Sequence, residues 1–544
     1  MEKGYLALVL HAHLPYVHHP EYENMFEERW LFEAISESYI PLLDVFRKLI
    51  DEGIKFNITL SITPTLLNML ADPLLQSRYI NYLEKNIKLA SDEIERTKNN
   101  HEFNNLALMY YNKYNNDLKT YKNVYNCDII KPLKELQQLG YIEILACAAT
   151  HAYLPLLEIN TQAVKAQISL GVKEYERFFG CRPRGLWLPE CGFCASLESL
   201  LKENNIEYII TESHGILYAN PRPVYGTYAP IVTPEGIVAF GRDIDSSRQV
   251  WSRSEGYPGD FDYRDFYKDI GYELDYSYLK DYFPSSWQRT FTGIKYHKIT
   301  GFTGNKLPYN PQKACIKAQI HAEDFLSKRE EQIINMHKQM DTPPIIVCPY
   351  DAELFGHWWY EGPLWIYSLF KNINKYCIKS STLSQYITKY PIMQVASPCA
   401  SSWGSNGYNE VWLNKTNDWI YRYLHSAADR MVELANRNSN IENVKNTENT
   451  ENTENCNPDT DKLKQRALNQ EARELLLAQS SDWAFIMKAG TMSEYAEMRT
   501  KTHINNFNKL YRDICENNID ETWLSEIEHR NNIFPEIDYR IYCK

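Results

Sequence analysis

One pattern constrains this chain more than any other. Short β-rich apolar runs, each ending abruptly in polar residues, alternate with amphipathic segments of helical period. The runs span residues 5–10, 56–62, 142–148, 185–188, 208–210, 237–240, 345–348 and 393–396, with helical segments at 40–52, 162–179 and 195–204 among those between them. Such alternation builds a parallel sheet with helical crossovers. Seven or eight units over about 400 residues predict a (β/α) barrel rather than an open sheet, with the chemistry at the strand C-termini.

That rule turns strands into candidates. Just past the strand ends lie His11 and His13, Thr150 and His151, Glu190, Thr211 and Glu212, Arg242 and Asp243, and Asp351. From about residue 416 the strands stop and helical periodicity takes over, as in "TNDWIYRYLHSAADRMVELANRN". The expected organisation is a catalytic barrel over 1–400, with a helical insertion at about 76–130 and a cleft-forming one at about 218–310. An all-helical C-terminal domain over 401–544 follows, beginning with a loop at 401–414. Within it, "NVKNTENTENTENCNPDTD" has almost nothing to bury, and about 441–460 is expected to be a disordered loop.

Composition excludes some functions. The net charge of −12 is spread along the chain, which disfavours nucleic acid and anionic membranes, since both need a concentrated basic face. No secretory signal and no bilayer-length apolar stretch is visible, and the scattered cysteines read as reduced thiols, so a cytoplasmic location is expected. Cys191 and Cys194 form a CxxC without a second pair, too little for zinc or redox chemistry. The 40 tyrosines and 12 tryptophans exceed what a core needs, and flat rings with a polar edge suit sugars.

Two stretches hold acids at strand ends among aromatics: "RPRGLWLPECGF" with Glu190 and "PYDAELFGHWWYEGP" with Asp351. Glycoside hydrolysis needs such a pair, one carboxylate to attack the anomeric carbon and one to protonate the leaving oxygen. The bland alternative makes both of them helix caps or ion-pair partners. "ASSWGSNGYNEVWLN" offers Trp403 and Trp412 on a small-residue loop, fit for stacking on sugar rings or for covering a domain joint. "QVWSRSEGYPGDFDYRDFYKDIGYELDY", with Asp260 and Arg264, lies in the long insertion and is expected to wall the substrate cleft. The pair His11 and His13 after the first strand is also how metal-dependent amidohydrolases begin, with His151, His214 and Asp351 as further candidate ligands. That reading leaves the aromatics without a purpose. His18 and His19 are expected at the surface.

The segments "HAHLPY", "ATHAYLPLL", "GLWLPECGF", "PYDAELFGHWWYEGP" and "SSWGSNGYNEVWLN" resemble, in order and context, the motifs of glycoside hydrolase family 57. "VWSRSEGYPGDFDYRDFYKDIGY" and "LLLAQSSDWAFIMKAG" are similar to its 1,4-α-glucan branching enzymes. The resemblance implies an incomplete (β/α)₇ TIM-like barrel with a helical C-terminal domain. It implies a retaining transglycosylase that cleaves α-1,4 bonds of amylose- or glycogen-type glucans and forms α-1,6 branches, without metal or cofactor, as a monomer or small homo-oligomer. By motif, Glu190 is the nucleophile and Asp351 the general acid/base. His11, His13 and His151 line the subsite of the attacked sugar, and Trp403, Trp412, His357 and Trp358 contact glucan.

One departure is visible. The resemblance implies a mobile, tyrosine-bearing loop after the nucleophile strand. The corresponding stretch here, about 218–247, has Tyr225 and Tyr228 early on and a tyrosine-free tip, "TPEGIVAFGRD". An α-amylase-like hydrolase or a 4-α-glucanotransferase of the same family therefore stays open beside branching. The amidohydrolase is a remoter alternative.

Overall fold

A computed structural model describes residues 2–252, 255–283, 289–301, 303, 306–439 and 458–544, and in it ten strands join one sheet. They are β1 (Gly4–Ala12), β2 (Ile58–Ile62), β3 (Ile142–Cys147), β4 (Gly185–Trp187), β5 (Tyr208–Thr211), β6 (Ile231–Val232), β7 (Val238–Gly241), β8 (Ile345–Asp351), β9 (Ile378–Ser380) and β10 (Gln394–Val395). Seven of them run parallel in the order β7-β5-β4-β3-β2-β1-β8. β6 runs antiparallel to β7 and carries β10, while β9 flanks the start of β1. The Asp243 N–H donates to the Val347 carbonyl at 2.9 Å, so the end of β7 returns to the middle of β8. The sheet is thereby curled into an incomplete barrel.

Every residue of β1 and β2 is buried, as parallel strands covered on both faces require. The barrel's interior is one cluster that includes Tyr5, Ala7 and Val9 of β1, Cys147 of β3, Trp187 of β4, Ile210 of β5, Phe240 of β7 and Val347 of β8. Strand side chains alternate with period two, so the inward positions run on to His11 on β1 and, past Pro349, to Asp351 on β8. These two are paired in the β1–β8 register. The apolar filling of the barrel thus ends in a polar layer at its C-terminal mouth.

The crossovers begin where their sequences provide caps. Thr63, Asn160, Asp243 and Asn310 each accept a backbone N–H of the first helical turn. The helix Thr161–Phe179 packs so close to β3 that a Cβ on Gly171 would lie 2.0 Å from the Cys147 carbonyl oxygen. Helices Pro73–Thr97 and His101–Lys119 lie in the first insertion.

After the barrel come helices Tyr421–Arg437, Pro458–Ala478, Ser481–Ala489, Ser493–Cys515 and Glu521–Arg530. Most of the stretch expected to be disordered lies outside the described residues, and residues 458–460 belong to a helix instead. His18 and His19 are not at the surface but buried at the seam with these helices. His18 Nδ1 meets the Arg530 carbonyl at 2.9 Å, and His19 Nε2 meets Tyr495 and Arg499. Their loop looked exposed because its covering helices arrive more than 400 residues later in the chain.

Candidate active site

β4 ends at Trp187, and a tight turn at Pro189–Cys191 holds Glu190 at φ +61°, a left-handed conformation that costs a non-glycine residue about 1–3 kcal/mol. The turn is held in place by the loop after β10, since the Trp403 N–H donates to the Glu190 carbonyl at 3.0 Å. The carboxylate takes two further hydrogen bonds. Trp403 Nε1–H donates to Oε2 at 2.7 Å, and the Ser481 hydroxyl donates to Oε1 at 3.1 Å.

Ser481 opens the helix Ser481–Ala489, so the C-terminal helices reach directly into the barrel mouth. Its hydroxyl has one proton, which goes to Glu190, so it must accept from His151 Nδ1 at 2.9 Å. His151 Nε2 then accepts from His11 Nε2–H at 3.0 Å, and His11 Nδ1 accepts from the Ser61 hydroxyl at 3.1 Å. A proton ordering with both imidazoles neutral satisfies the chain Ser61–His11–His151–Ser481–Glu190. Burial, followed by the neighbouring imidazoles, pushes both histidines well below their ordinary pKa, in keeping with that ordering. His11 also stacks on Trp187 at 4.6 Å between ring centroids.

His13 differs. Its Nε2 lies 2.9 Å from both carboxylate oxygens of Asp482, and its Nδ1 lies 3.1 Å from the Thr63 hydroxyl. Burial opposes charge on this ring, but the Asp482 carboxylate outweighs it and raises the pKa. Asp482 is in turn held below its ordinary value, burial notwithstanding, by His13.

His13, His151 and Asp482 bring ligand atoms within 4.8 Å of one another, a spacing that invites a metal. The geometry argues otherwise. The His13 and His151 rings stack face to face at 3.8 Å with 19° between their planes. A ring nitrogen directs its lone pair in its own plane, so two stacked rings cannot converge on one ion. His214, the fourth histidine of the metal reading, packs beside Tyr408 and Gly407 instead.

The carboxyl of Asp351, the last residue of β8, takes no hydrogen bond from any described residue. Burial pushes its pKa well above the ordinary carboxylate value, and the charges of Glu353 and Glu190 push it further. Glu353 is fixed nearby, accepting from the Tyr39 hydroxyl at 2.5 Å and from the His13 N–H at 3.2 Å. Glu190 is raised too, by burial, but its hydrogen bond from Trp403 works in the other direction.

Two acids with such different surroundings at one barrel mouth fit sugar chemistry, and comparison with known proteins agrees. The family model described as "Glycosyl hydrolase family 57" matches residues 7–397. The chain belongs to glycosyl hydrolase family 57. A second model, "1,4-alpha-glucan branching enzyme, C-terminal", matches residues 423–542. The 1,4-alpha-glucan branching enzyme TK1436 of Thermococcus kodakarensis is 34% identical over 568 aligned residues, covering 98% of this chain and 77% of that protein. Among solved structures, the alpha-amylase AmyC of Thermotoga maritima is 44% identical with a TM-score of 0.90, covering 100% of this chain and 99% of that one. The branching enzyme of Pyrococcus horikoshii is 33% identical with a TM-score of 0.86, covering 100% and 97%. Within family 57 the chain stands with the branching enzymes.

The remaining expected residues of this family 57 chain divide. Trp403 is at the site, and Trp358, 52% exposed, stacks on Phe266 at 4.5 Å beside His357, whose Nδ1 meets Glu37 at 2.7 Å. Trp412 does not offer its ring to a ligand. It is 1% exposed and stacks on Tyr153 at 4.3 Å beneath the loop. Arg264 is also buried, bonded to Tyr110 and lying over the Tyr360 ring, so it braces the insertion rather than lining a cleft. Asp260 pairs with Lys317 and His321 at 3.6 Å.

The expected loop tip is not a loop. Residues 233–243 form a tight turn closed by Gly236 N–H to Thr233 O at 2.9 Å, then β7, then a helix cap at Asp243. Val238 and Phe240 fill the barrel, which draws this stretch into the sheet. The turn precedes β7 and so lies at the opposite end of the barrel from Glu190. Tyr225 donates to Asp341 and the Tyr228 hydroxyl accepts from Gln332.

Ser481, Asp482 and Glu353 escaped the sequence reading. The first two stand in the quoted "LLLAQSSDWAFIMKAG", and Glu353 lies two residues from Asp351 in "PYDAELFGHWWYEGP". Polar residues at a helix N-terminus inside otherwise apolar runs were the available signal.

Proposed function

We propose that the chain is a retaining 1,4-α-glucan branching enzyme in which Glu190 is the nucleophile and Asp351 the general acid/base. The observation that carries this reading is the asymmetry of the two carboxyls. Glu190 is oriented by two hydrogen bonds to its oxygens, which favour its ionised form, whereas the Asp351 carboxyl takes none and its pKa is pushed well above the ordinary value, first by burial and then by the charges of Glu353 and Glu190.

In the first half-reaction Asp351 gives its proton to the glycosidic oxygen while Glu190 attacks C1, forming a glycosyl ester. In the second, the 6-hydroxyl of another glucan segment attacks C1, Asp351 takes the hydroxyl proton, and the bond to Glu190 breaks. Two inversions give retention, for which the carboxyls must lie about 5–5.5 Å apart. His11, His13 and His151 form a rigid wall beside the attacked sugar, with Trp403 and Trp358 as stacking faces. The barrel region, about 1–400, supplies both acids, and the region 401–544 supplies Trp403, Ser481 and Asp482. A cytoplasmic role on amylose- or glycogen-type chains follows from this reading.

A second reading, an α-amylase-like retaining hydrolase, draws on the 44% identical Thermotoga protein named an alpha-amylase. Proton NMR of amylose incubated with the protein, with reducing ends assayed in the same tubes, separates the two. New α-1,6 anomeric signals with few reducing ends support branching. Reducing ends alone mean hydrolysis. Glu190→Gln must abolish both outcomes, and substantial residual turnover would remove Glu190 from the nucleophile's role.

A further inference from the structure

We propose that Arg499, on the helix Ser493–Cys515, is a positioning residue for the reaction: it locks the loop that carries His13 to the helix that carries Ser481 and Asp482. The proposal rests on the retaining reading above and names what keeps the two halves of that site in register.

Both sides of the His13–Asp482 contact lead to this one guanidinium. On the barrel side, His19 follows His13 by six residues on the loop after β1, and Arg499 Nη1–H donates to His19 Nε2 at 3.0 Å. On the helical side, Trp483 follows Asp482 directly, and the Arg499 guanidinium lies over its indole, 5.7 Å from the ring centroid. Trp483 is fully buried and its N–H donates to the Leu477 carbonyl at 2.8 Å, so a shift of the helix Ser481–Ala489 must move this ring. Tyr495 meets the same His19 nitrogen at 3.1 Å and stands edge-on to Trp483, which closes the joint.

The second arm of the fork fixes Arg499 itself. Its Nη2–H donates to His503 Nε2 at 3.1 Å, and His503 Nδ1–H donates to Glu474 at 2.7 Å. Glu474 accepts further from Asn531 at 2.7 Å and from Gln470 at 2.8 Å. On the other side, the His19 N–H donates to Glu28 at 3.0 Å, and Glu28 pairs at 2.6 Å with Arg78 on the helix Pro73–Thr97. One chain of contacts thus runs from the C-terminal helices, through Arg499, to the first insertion.

The chemistry of the joint calls for arginine. An imidazole nitrogen that accepts from a guanidinium must be unprotonated, so the fork holds two neutral histidines. Burial, with the Arg499 charge after it, pushes His19 down to about 2, and burial keeps His503 below its ordinary value against the pull of Glu474. Only arginine presents donors to both rings in one rigid plane, where a lysine ammonium is a single point. Arg499 is 5% exposed, and it directs a buried charge at two neutral acceptors and two aromatic faces. Apolar replacement of buried ionic groups is often neutral for stability, so the register that the fork imposes is the role left to it.

The test combines Arg499→Met with Asp482→Asn in a double-mutant cycle and reads amylose turnover, the NMR titration of His13 and thermal melts. Arg499→Met is expected to lower kcat about tenfold, the scale of a lost charged hydrogen bond, with KM changed less than about twofold. The His13 titration should move to lower pH, because a loosened Asp482 no longer holds the charge on that ring. In the Asp482→Asn background the same substitution should change kcat by no more than about twofold. Equal losses in both backgrounds, or an unmoved His13 titration in folded Arg499→Met, would overturn the proposal. If Arg499→Met does not fold, His19→Leu removes one arm of the fork, and His19→Gln returns an acceptor to it. The first must then shift the His13 titration and the second must restore it, and failure of either overturns the proposal. Turnover counts every bond broken in amylose, so the test holds for branching and for hydrolysis alike. If the wild-type protein leaves amylose untouched, the glycosidase reading fails by itself, and the His13 titration still decides the role of Arg499.

Discussion

Asp482 grips His13 across 469 residues of chain, with both carboxylate oxygens 2.9 Å from Nε2. The contact joins the first turn of a C-terminal helix to the end of the first barrel strand. It also sets apart one imidazole of three. His13 is held toward its charged form, while His11 and His151, stacked against it and each other, are held neutral. One ring held toward its charged form beside two held toward neutrality gives the site a defined polarity.

Replacing Asp482 by Asn removes that polarity with little change in volume. The His13 pKa is expected to fall, since burial is then opposed only by the weaker effects of Glu190 and Glu353, and NMR titration of the ring would follow it. Losing a buried charged hydrogen bond costs about 1.5–3 kcal/mol, so kcat/KM should drop by roughly tenfold to a hundredfold. An unchanged titration would mean that Asp482 does not govern His13.

The barrel and the placement of Glu190 and Asp351 at its mouth were legible because a parallel strand announces itself as an apolar run and its last inward residue follows from the period of two. His11 and Asp351 fall out of that arithmetic, and Glu190 stands just past Trp187. Ser481 and Asp482 were not legible, although their motif was seen, because nothing local says that one helix of a C-terminal bundle enters a barrel mouth. Trp412 and Arg264 misled for the converse reason. An aromatic on a Gly/Ser/Asn loop and a charge in an insertion look exposed until the partners that bury them, Tyr153 and Tyr360, are in place. The turn before β7 was read as a loop tip because Pro234 and Gly236 signal a turn without saying at which end of the barrel it lies.

The His13–Asp482 pair also makes stability depend on pH, in a window with two edges. His13 is raised in the folded state, so its contribution is full below 6.5 and fades as pH rises through the folded value. Asp482 is depressed, so its contribution is full above 3.8 and fades as pH falls through its folded value. The melting-temperature difference between wild type and Asp482→Asn should peak between about pH 4 and 6.5 and shrink on both sides. A difference constant with pH would show that the pair is not ionised.

Glu353 should govern the alkaline side of activity. Its negative charge is the second cause, after burial, that raises the Asp351 pKa. Glu353→Gln keeps an oxygen for the His13 N–H but removes the charge, so the Asp351 pKa falls. The alkaline limb of the kcat/KM profile, which reports loss of the acid's proton, should move to lower pH. A limb that stays in place while activity falls would reduce Glu353 to a structural brace between Tyr39 and His13.

Trp403 should govern the acid side, with the opposite sign. Its indole N–H, 2.7 Å from Glu190 Oε2, favours the ionised carboxylate against a burial that disfavours it. Trp403→Phe preserves an aromatic wall but removes the donor, so the Glu190 pKa rises and the acid limb of kcat/KM should move to higher pH. Because a phenyl ring still stacks on glucose, KM for amylose should change less than kcat. Combining Trp403→Phe with Glu353→Gln would then narrow the profile from both sides, since the substitutions act on different carboxyls. If Trp403→Phe instead raised KM and left the acid limb where it was, the indole would be acting only as a sugar platform, and the ionisation of Glu190 would rest on His13 and Ser481.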